Sequence, residues 1–256
     1  MREYINELLK RKDLLVYLVK SGLKAEHRNS YLGYFWWLLD PLLNVVIYYF
    51  LIGVLLGRGG DDFAVFLVIG LVGWRWINTT VNTSAKSITK YSSIINQVYL
   101  PKSIFPLAMT ATQTFNFLFG LIIIAIFLLV FQVTPGWQVV YLPLIILVQL
   151  LFLIAISLFV AYICVFVRDI DNILGHILRI FFYGSAIIFN RDFGQYSWIF
   201  DINPVAVIIY SYRSVLLWHE SPPFFSLSII AITSIVAIIL LIRYYSRNEH
   251  KIIKAL

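Results

Sequence analysis

Three charged side chains, Asp40, Arg75 and Arg179, stand inside otherwise apolar stretches of this chain. A charge at membrane depth is costly unless protein or a water-filled path surrounds it, so such residues mark pathways, relays or buried pairs. Asp40 is followed by Pro41, a helix breaker, just inside the first apolar run. A proton- or sodium-coupled carrier needs acids near the membrane midplane. Asp40 reads as close to the inner boundary, and no other acid falls inside an apolar stretch. The cluster Arg168-Asp169-Ile170-Asp171 could serve an interfacial transferase, but it reads first as a helix turn and a partner contact.

Other reactive patterns are missing from the sequence. There is no phosphate-binding G-x-x-x-x-G-K-[ST] loop and no H-E-x-x-H. There is no G-x-S-x-G nucleophile elbow. His27, His176, His219 and His250 are scattered. A single cysteine, Cys164, excludes an intrachain disulfide. A membrane protein with neither an ATP site nor an ion-coupling site is passive or draws its energy from another subunit.

Aromatic residues are the richer resource, with Phe 20, Tyr 16 and Trp 7 in number. Many must face lipid or pack between helices. Yet Tyr48-Tyr49, Trp74-x-Trp76 and Phe181-Phe182-Tyr183 fall within apolar stretches, away from the interfaces where such rings usually collect. Ring faces can stack on the C–H faces of sugars while their hydroxyls bond to sugar hydroxyls. Stacking surfaces suit a sliding polymer, because no one contact is strong enough to trap it.

The elements that would position these groups are membrane helices. The chain is 61% hydrophobic and 13% charged, against about 25% charged for a soluble domain. Six stretches approach the about 20 residues that a spanning helix needs: Tyr34–Leu56, Phe63–Val81, Ile104–Phe131, Val139–Val167, Ile173–Phe189 and Phe224–Ile242. Residues 1–12 carry Arg2, Glu3, Glu7, Lys10, Arg11 and Lys12 and no apolar signal core, so the first span is expected to direct insertion. With the N-terminus inside, fifteen Lys and Arg fall in cytoplasmic segments and three outside, which fixes both termini in the cytoplasm. The net charge of +7 is thus explained by topology, without nucleic acid.

Residues 1–31 read as a cytoplasmic amphipathic helix in the headgroup layer, in contact with membrane lipids. Asp13 can cap it; Leu15, Leu18, Val19 and Gly22 share one face, and Lys20, Lys24 and Arg28 form a basic stripe. Residues 190–223 are too apolar for a solvated loop and too short for two more spans. They fit a re-entrant pair of short helices, with an amphipathic cap on the outer face as the alternative. The expected fold is an all-α integral membrane protein: the interface helix, then a six-helix transmembrane domain over 32–256 with re-entrant outer helices between spans five and six.

Four sequence blocks resemble the permeases of ABC-2 type polysaccharide exporters, which serve O-antigen, teichoic acid and capsule export. The first is Arg28-x-Ser30-x-Leu32-Gly33-x-x-Trp36-x-x-x-x-Pro41-Leu42. The second is Val98-Tyr99-Leu100-Pro101-Lys102-x-Ile104-Phe105-Pro106, and the third Phe166-x-Arg168-Asp169-Ile170-x-x-Ile173. The fourth is Asn203-Pro204 followed by Tyr212-Arg213-x-x-Leu216-Leu217, in the re-entrant region. Together they cover nearly the whole chain. Many family members carry Ser-Pro near the outer end of span five, where this chain has Ser185-Ala186.

The resemblance implies a homodimeric inner-membrane permease with two cytoplasmic ATPase subunits. ATP and Mg would sit on those partners, with no cofactor on this chain. The substrate would be a glycan on a polyprenyl-diphosphate carrier. Lys20, Lys24, Arg28, Tyr99, Pro101, Lys102, Arg168 and Asp169 would contact the ATPases. A channel lined by spans one and five would take Asp40, Tyr48, Tyr49, Phe181 and Tyr183 as its wall. An ABC-2 permease for another lipid or a drug is the same-fold alternative; a membrane-embedded glycolipid transferase is the alternative from another class.

Overall fold

The computed structural model describes residues 2–26, 31–57, 60, 62–95, 100–167, 169–189 and 198–256. Two short helices come first, α1 (Arg2–Lys10) and α2 (Lys12–Glu26). The break falls at Arg11, so Asp13 stands in the first turn of α2 and does not precede it. Its charge still suits the positive end of the helix dipole. α2 turns its apolar stripe inward: Leu18 is buried, and Leu14, Leu15 and Val19 pack on the same cluster. Lys20 and Lys24 remain exposed, while Arg28 lies outside the described residues.

α3 (Trp36–Tyr48) holds Pro41 in its interior. Proline has no N–H to donate, so the regular ladder is interrupted there. The helix continues as a π-helical segment, Tyr49–Leu55. Gly57, at φ 59°, then ends the helix, a conformation that costs glycine little. α4 (Phe63–Ala85) leads through α5 (Ser87–Lys90) and α6 (Ser92–Ile95) to α7 (Ile104–Val130). α8 (Leu142–Phe166) follows a 3₁₀ turn, Trp137–Tyr141, and α12 (Phe224–Ala255) ends the chain. Counting the π-segment and the 3₁₀ turn, five helices are long and apolar enough to cross a membrane. The chain is a multi-pass membrane protein.

The fifth stretch differs from the sequence expectation. Its helix, α9 (Ile170–Tyr183), has 14 residues, about 21 Å of rise. That falls short of the roughly 30 Å hydrocarbon core. The helix stops before Gly184, and Ala186 adopts a left-handed φ of 52°. The break therefore comes beside Ser185-Ala186, without a proline. After it come α10 (Trp198–Ile202) and α11 (Pro204–Leu216). α11 is buried almost all round, from Val205 to Leu216. An amphipathic cap would have kept one wet face; α11 packs into the bundle.

α4 is the hub, packed by α3, α7, α8, α9 and α11. Within lipid, apolar contact alone gives helices little reason to associate, so close packing and hydrogen bonds must hold them. Gly120 of α7 shows how close: a Cβ there would meet Val72 Cγ1 at 2.6 Å. A second core gathers at the end of the bundle that carries the termini, joining Tyr4, Leu18, Ile88, Phe105, Tyr245 and Ile252.

Candidate functional site

Arg75 stands at the middle of α4, about 18 Å from Phe63 and about 15 Å from Ala85 along the axis. Its Nη2 donates to Asp40 Oδ2 at 3.0 Å, tying α3 to α4. The side chains are 33% and 48% exposed. A pair so open is worth about 0.2–1 kcal/mol where water reaches it. Asn44 Nδ2 donates to the Asp40 carbonyl at 2.7 Å, one turn on.

Beside this pair lies a cleft of about 370 Å³ between α3, α4 and α9. α3 contributes Asn44 and Tyr48; α4 contributes Trp74, Arg75 and Asn78; α9 contributes Arg179, Phe182 and Tyr183. Phe182 is the keystone. Its ring centroid lies 5.6 Å from Tyr48, 5.7 Å from Trp74 and 5.1 Å from Tyr183. α3 and α9 each pack on α4, and the Tyr48–Phe182 ring pair joins them across the cleft. Aromatic walls with a few convergent polar groups are the usual make-up of a small-ligand site.

The sequence-predicted wall divides accordingly. Tyr48 and Tyr183 line the cleft, and Asp40 holds one of its arginines. Tyr49 turns instead toward Phe63, with ring centroids 6.4 Å apart. Phe181 is exposed and is not among the lining residues. Sequence reasoning passed over Asn44 and Asn78 and gave Trp74, Phe182 and the two arginines no place on the wall. A signal was present: Gly175, Leu178, Arg179, Phe182 and Tyr183, like Leu71, Trp74, Arg75 and Asn78, recur at the three-and-four spacing of one helix face.

The four residues expected in the re-entrant region form a hydrogen-bonded joint. Asn203 Oδ1 caps α11 by accepting from Val205 N at 3.0 Å. Its Nδ2 donates to Gly184 O and Ser185 Oγ, both at 2.9 Å, so the end of α9 is bound to the start of α11. Pro204 fills the first helical position, where a missing N–H costs nothing. Tyr212 OH donates to Gln149 Oε1 at 2.7 Å, and Gln149 Nε2 donates to Gly73 O at 3.0 Å, linking α11, α8 and α4. Arg213 is buried; its Nη1 donates to Ala186 O at 2.7 Å and its Nη2 to Ile187 O at 2.6 Å.

The expected partner contacts also divide. Asp169 is exposed just before α9, and its carbonyl accepts from Asn172 N and Ile173 N. Tyr99 and Arg168, like Arg28, lie outside the described residues. Pro101 and Lys102 are buried. That corrects the picture of Lys102 as a surface contact. Its backbone N donates to Glu249 Oε1 at 3.1 Å, and its ammonium lies 3.9 Å from the same carboxylate. Burial lowers the Lys102 pKa and Glu249 opposes that fall. Next to it, Ser103 N donates to Tyr4 OH at 3.3 Å, and the two hydroxyls are 3.0 Å apart. Burial raises the Tyr4 phenol well above its usual range. The turn before α7 is thus clamped to α1 on one side and to α12 on the other.

Comparison with known proteins adds a family and relatives. The model of the family described as ABC-2 type transporter matches residues 13–217. The chain is 28% identical over 240 residues to the O-antigen export system permease protein RfbA of Myxococcus xanthus, covering 92% of each chain. It is 28% identical over 242 residues to a Klebsiella pneumoniae protein of the same description, covering 93% of each. A second Klebsiella pneumoniae protein so described is 29% identical over 208 residues, covering 80% of each.

Proposed function

Because the chain belongs to the ABC-2 type transporter family, we propose that it is the transmembrane subunit of an exporter that moves a lipid-linked polysaccharide across the cytoplasmic membrane. The observation that carries this reading is similarity to O-antigen export permeases over nearly the full length of both chains. The aromatic cleft agrees with it, since stacked rings and amides suit a sugar. ATP hydrolysis belongs to a separate cytoplasmic subunit, present in two copies, and two copies of this chain form the translocation path. Exposed Lys20, Lys24 and Asp169 are candidate contacts for that ATPase. The clamped turn at Pro101-Lys102-Ser103 would pass its motion to α1 and α12.

Deleting the chain in cells that keep their glycosyltransferases tests the function. Finished glycan should accumulate inside on its lipid carrier and vanish from the surface. Loss of the glycan itself would favour a transferase, and unchanged surface glycan would favour a permease for another lipid. Six crossings with both termini inside complete the reading, the fifth being a short one made by α9 and the residues that follow it. Single cysteines replacing Gly60 and Pro135 should label from outside, and one replacing His250 should not.

A further inference from the structure

The cleft is lined by two guanidinium groups, and the acid beside it serves only one of them. Arg75 is paired with Asp40 at 3.0 Å. Arg179 lines the same cleft, is exposed, and makes no hydrogen bond or ion pair among the described residues. The acid on its own helix is taken, since Asp171 Oδ2 meets Lys86 Nζ at 2.9 Å. An unmatched guanidinium at membrane depth is costly and marks a place where an anion belongs. Arginine presents a planar fork of donors that matches the oxygens of a phosphate group.

We infer that the Arg75–Arg179 cleft is a site for the diphosphate of a prenyl-linked substrate, with Arg179 as its primary ligand. Arg75 is shared: it is held by Asp40 in the empty site and contributes to the anion when one is bound. The first sugar would then meet Tyr48, Trp74 and Phe182, whose rings stand beside the two arginines. The prenyl tail would leave along the exposed apolar flanks of α3 and α9, where Ile47 and Ile180 face outward. This assignment rests on the export reading for the identity of the substrate, but its chemistry is tested without export.

The test uses the full chain in nanodiscs of phosphatidylcholine, which carries no net charge to compete for the arginines. Farnesyl diphosphate, farnesol and inorganic diphosphate are titrated by calorimetry. Farnesyl diphosphate should bind and farnesol should not. Arg179→Gln should weaken binding at least tenfold, and Arg179→Lys should recover only part of the loss. Asp40→Asn should tighten binding several-fold, because it frees Arg75. Elution as a single species shows that each variant is folded. Parent affinity in Arg179→Gln overturns the site, and a loss in Arg75→Gln as large as that in Arg179→Gln overturns the primary role of Arg179. Equal binding of farnesol overturns the role of phosphate, and equal binding of inorganic diphosphate overturns the lipid-borne source. If the deletion strain still displays its glycan while Arg179→Gln loses farnesyl diphosphate, the export reading fails and the site stands. If export is lost on deletion and Arg179→Gln binds normally, the site fails and the export reading stands.

Discussion

Arg213 lies flat over Phe66, its guanidinium carbon 3.4 Å from the ring centroid, while its Nε and Nη2 donate to the carbonyl of that same residue at 3.3 and 3.2 Å. One side chain of α11 thereby binds both the ring and the backbone at the start of α4. With Ala186 O and Ile187 O, two carbonyls beyond the end of α9, it bonds three backbone carbonyls in all. Replacing Arg213 by Gln leaves part of this set without donors and should cost about 3 kcal/mol or more. Lys should not rescue it, because a single ammonium cannot reach the positions that a planar fork spans. The thermal midpoint of the detergent-solubilised protein measures both. A lysine variant as stable as the parent would contradict this role.

Gly70 gives Arg213 its seat. A Cβ there would clash with Arg213 Nη2 and come within 2.8 Å of Ile187 O. The guanidinium could shift, but the backbone carbonyl cannot shift without breaking its own bond. Gly70→Ala should therefore lower membrane abundance, while Gly175→Ala, which meets nothing within 4 Å, should not. Quantitative blotting of the two variants tests the contrast.

Tyr212→Phe removes one hydroxyl and leaves buried Gln149 Oε1 without its donor. The expected loss is about 1–3 kcal/mol. Adding Gln149→Leu should recover part of it, since both polar ends then leave together. A double variant no more stable than the single would argue against an unsatisfied amide as the cause.

The buried Lys102 makes stability depend on pH with a definite sign. Its folded pKa is lowered by burial, so its charge costs stability while both states are protonated. That cost is relieved as pH rises from the depressed value toward the ordinary 10.5. Tyr4 acts in the opposite sense: burial raises its pKa, so its contribution is complete below 10.0 and is lost above it. Thermal midpoints measured in a Tyr4→Phe background should rise with pH as 10.5 is approached. Lys102→Met in that background should flatten the rise; a rise that persists would assign it to another group.

For the cleft, Tyr48→Ala, Trp74→Ala and Tyr183→Ala should each reduce export by about two- to tenfold at normal abundance, the scale of one lost aromatic contact. Phe181→Ala, off the wall, should leave export unchanged. Export falling only in proportion to abundance would make these rings packing residues.

Much of this arrangement is legible in the sequence, because lipid imposes simple rules. Length and hydropathy locate the long helices, and Asn203-Pro204 announces the start of α11 through an N-cap followed by a first-turn proline. α9 is less legible. Its apolar run extends past Tyr183, yet the helix ends where Ala186 turns left-handed and the carbonyls of residues 186 and 187 turn to Arg213. Hydropathy has no term for a backbone drawn off its axis by a distant guanidinium. Lys102 is hidden for a similar reason. Its partner Glu249 stands 147 residues away, and a lysine in a polar turn looks exposed until that carboxylate is brought to it. Tyr49 and Phe181 were separated from the wall by one residue each, because neighbours in a helix point about 100° apart.

The π-segment Tyr49–Leu55 gives that angular rule a mechanical use. A π-turn holds more residues than an α-turn, so it is slack stored in the helix. If the slack moved one place toward Tyr48, each residue it passed would rotate by roughly one residue's angle, about 100°. Tyr48 now faces the cleft, and Tyr49 faces Phe63. A single step would retract one ring and advance the other. Such a step would turn the first apolar helix like a screw thread, exchanging the ring it offers to the cleft.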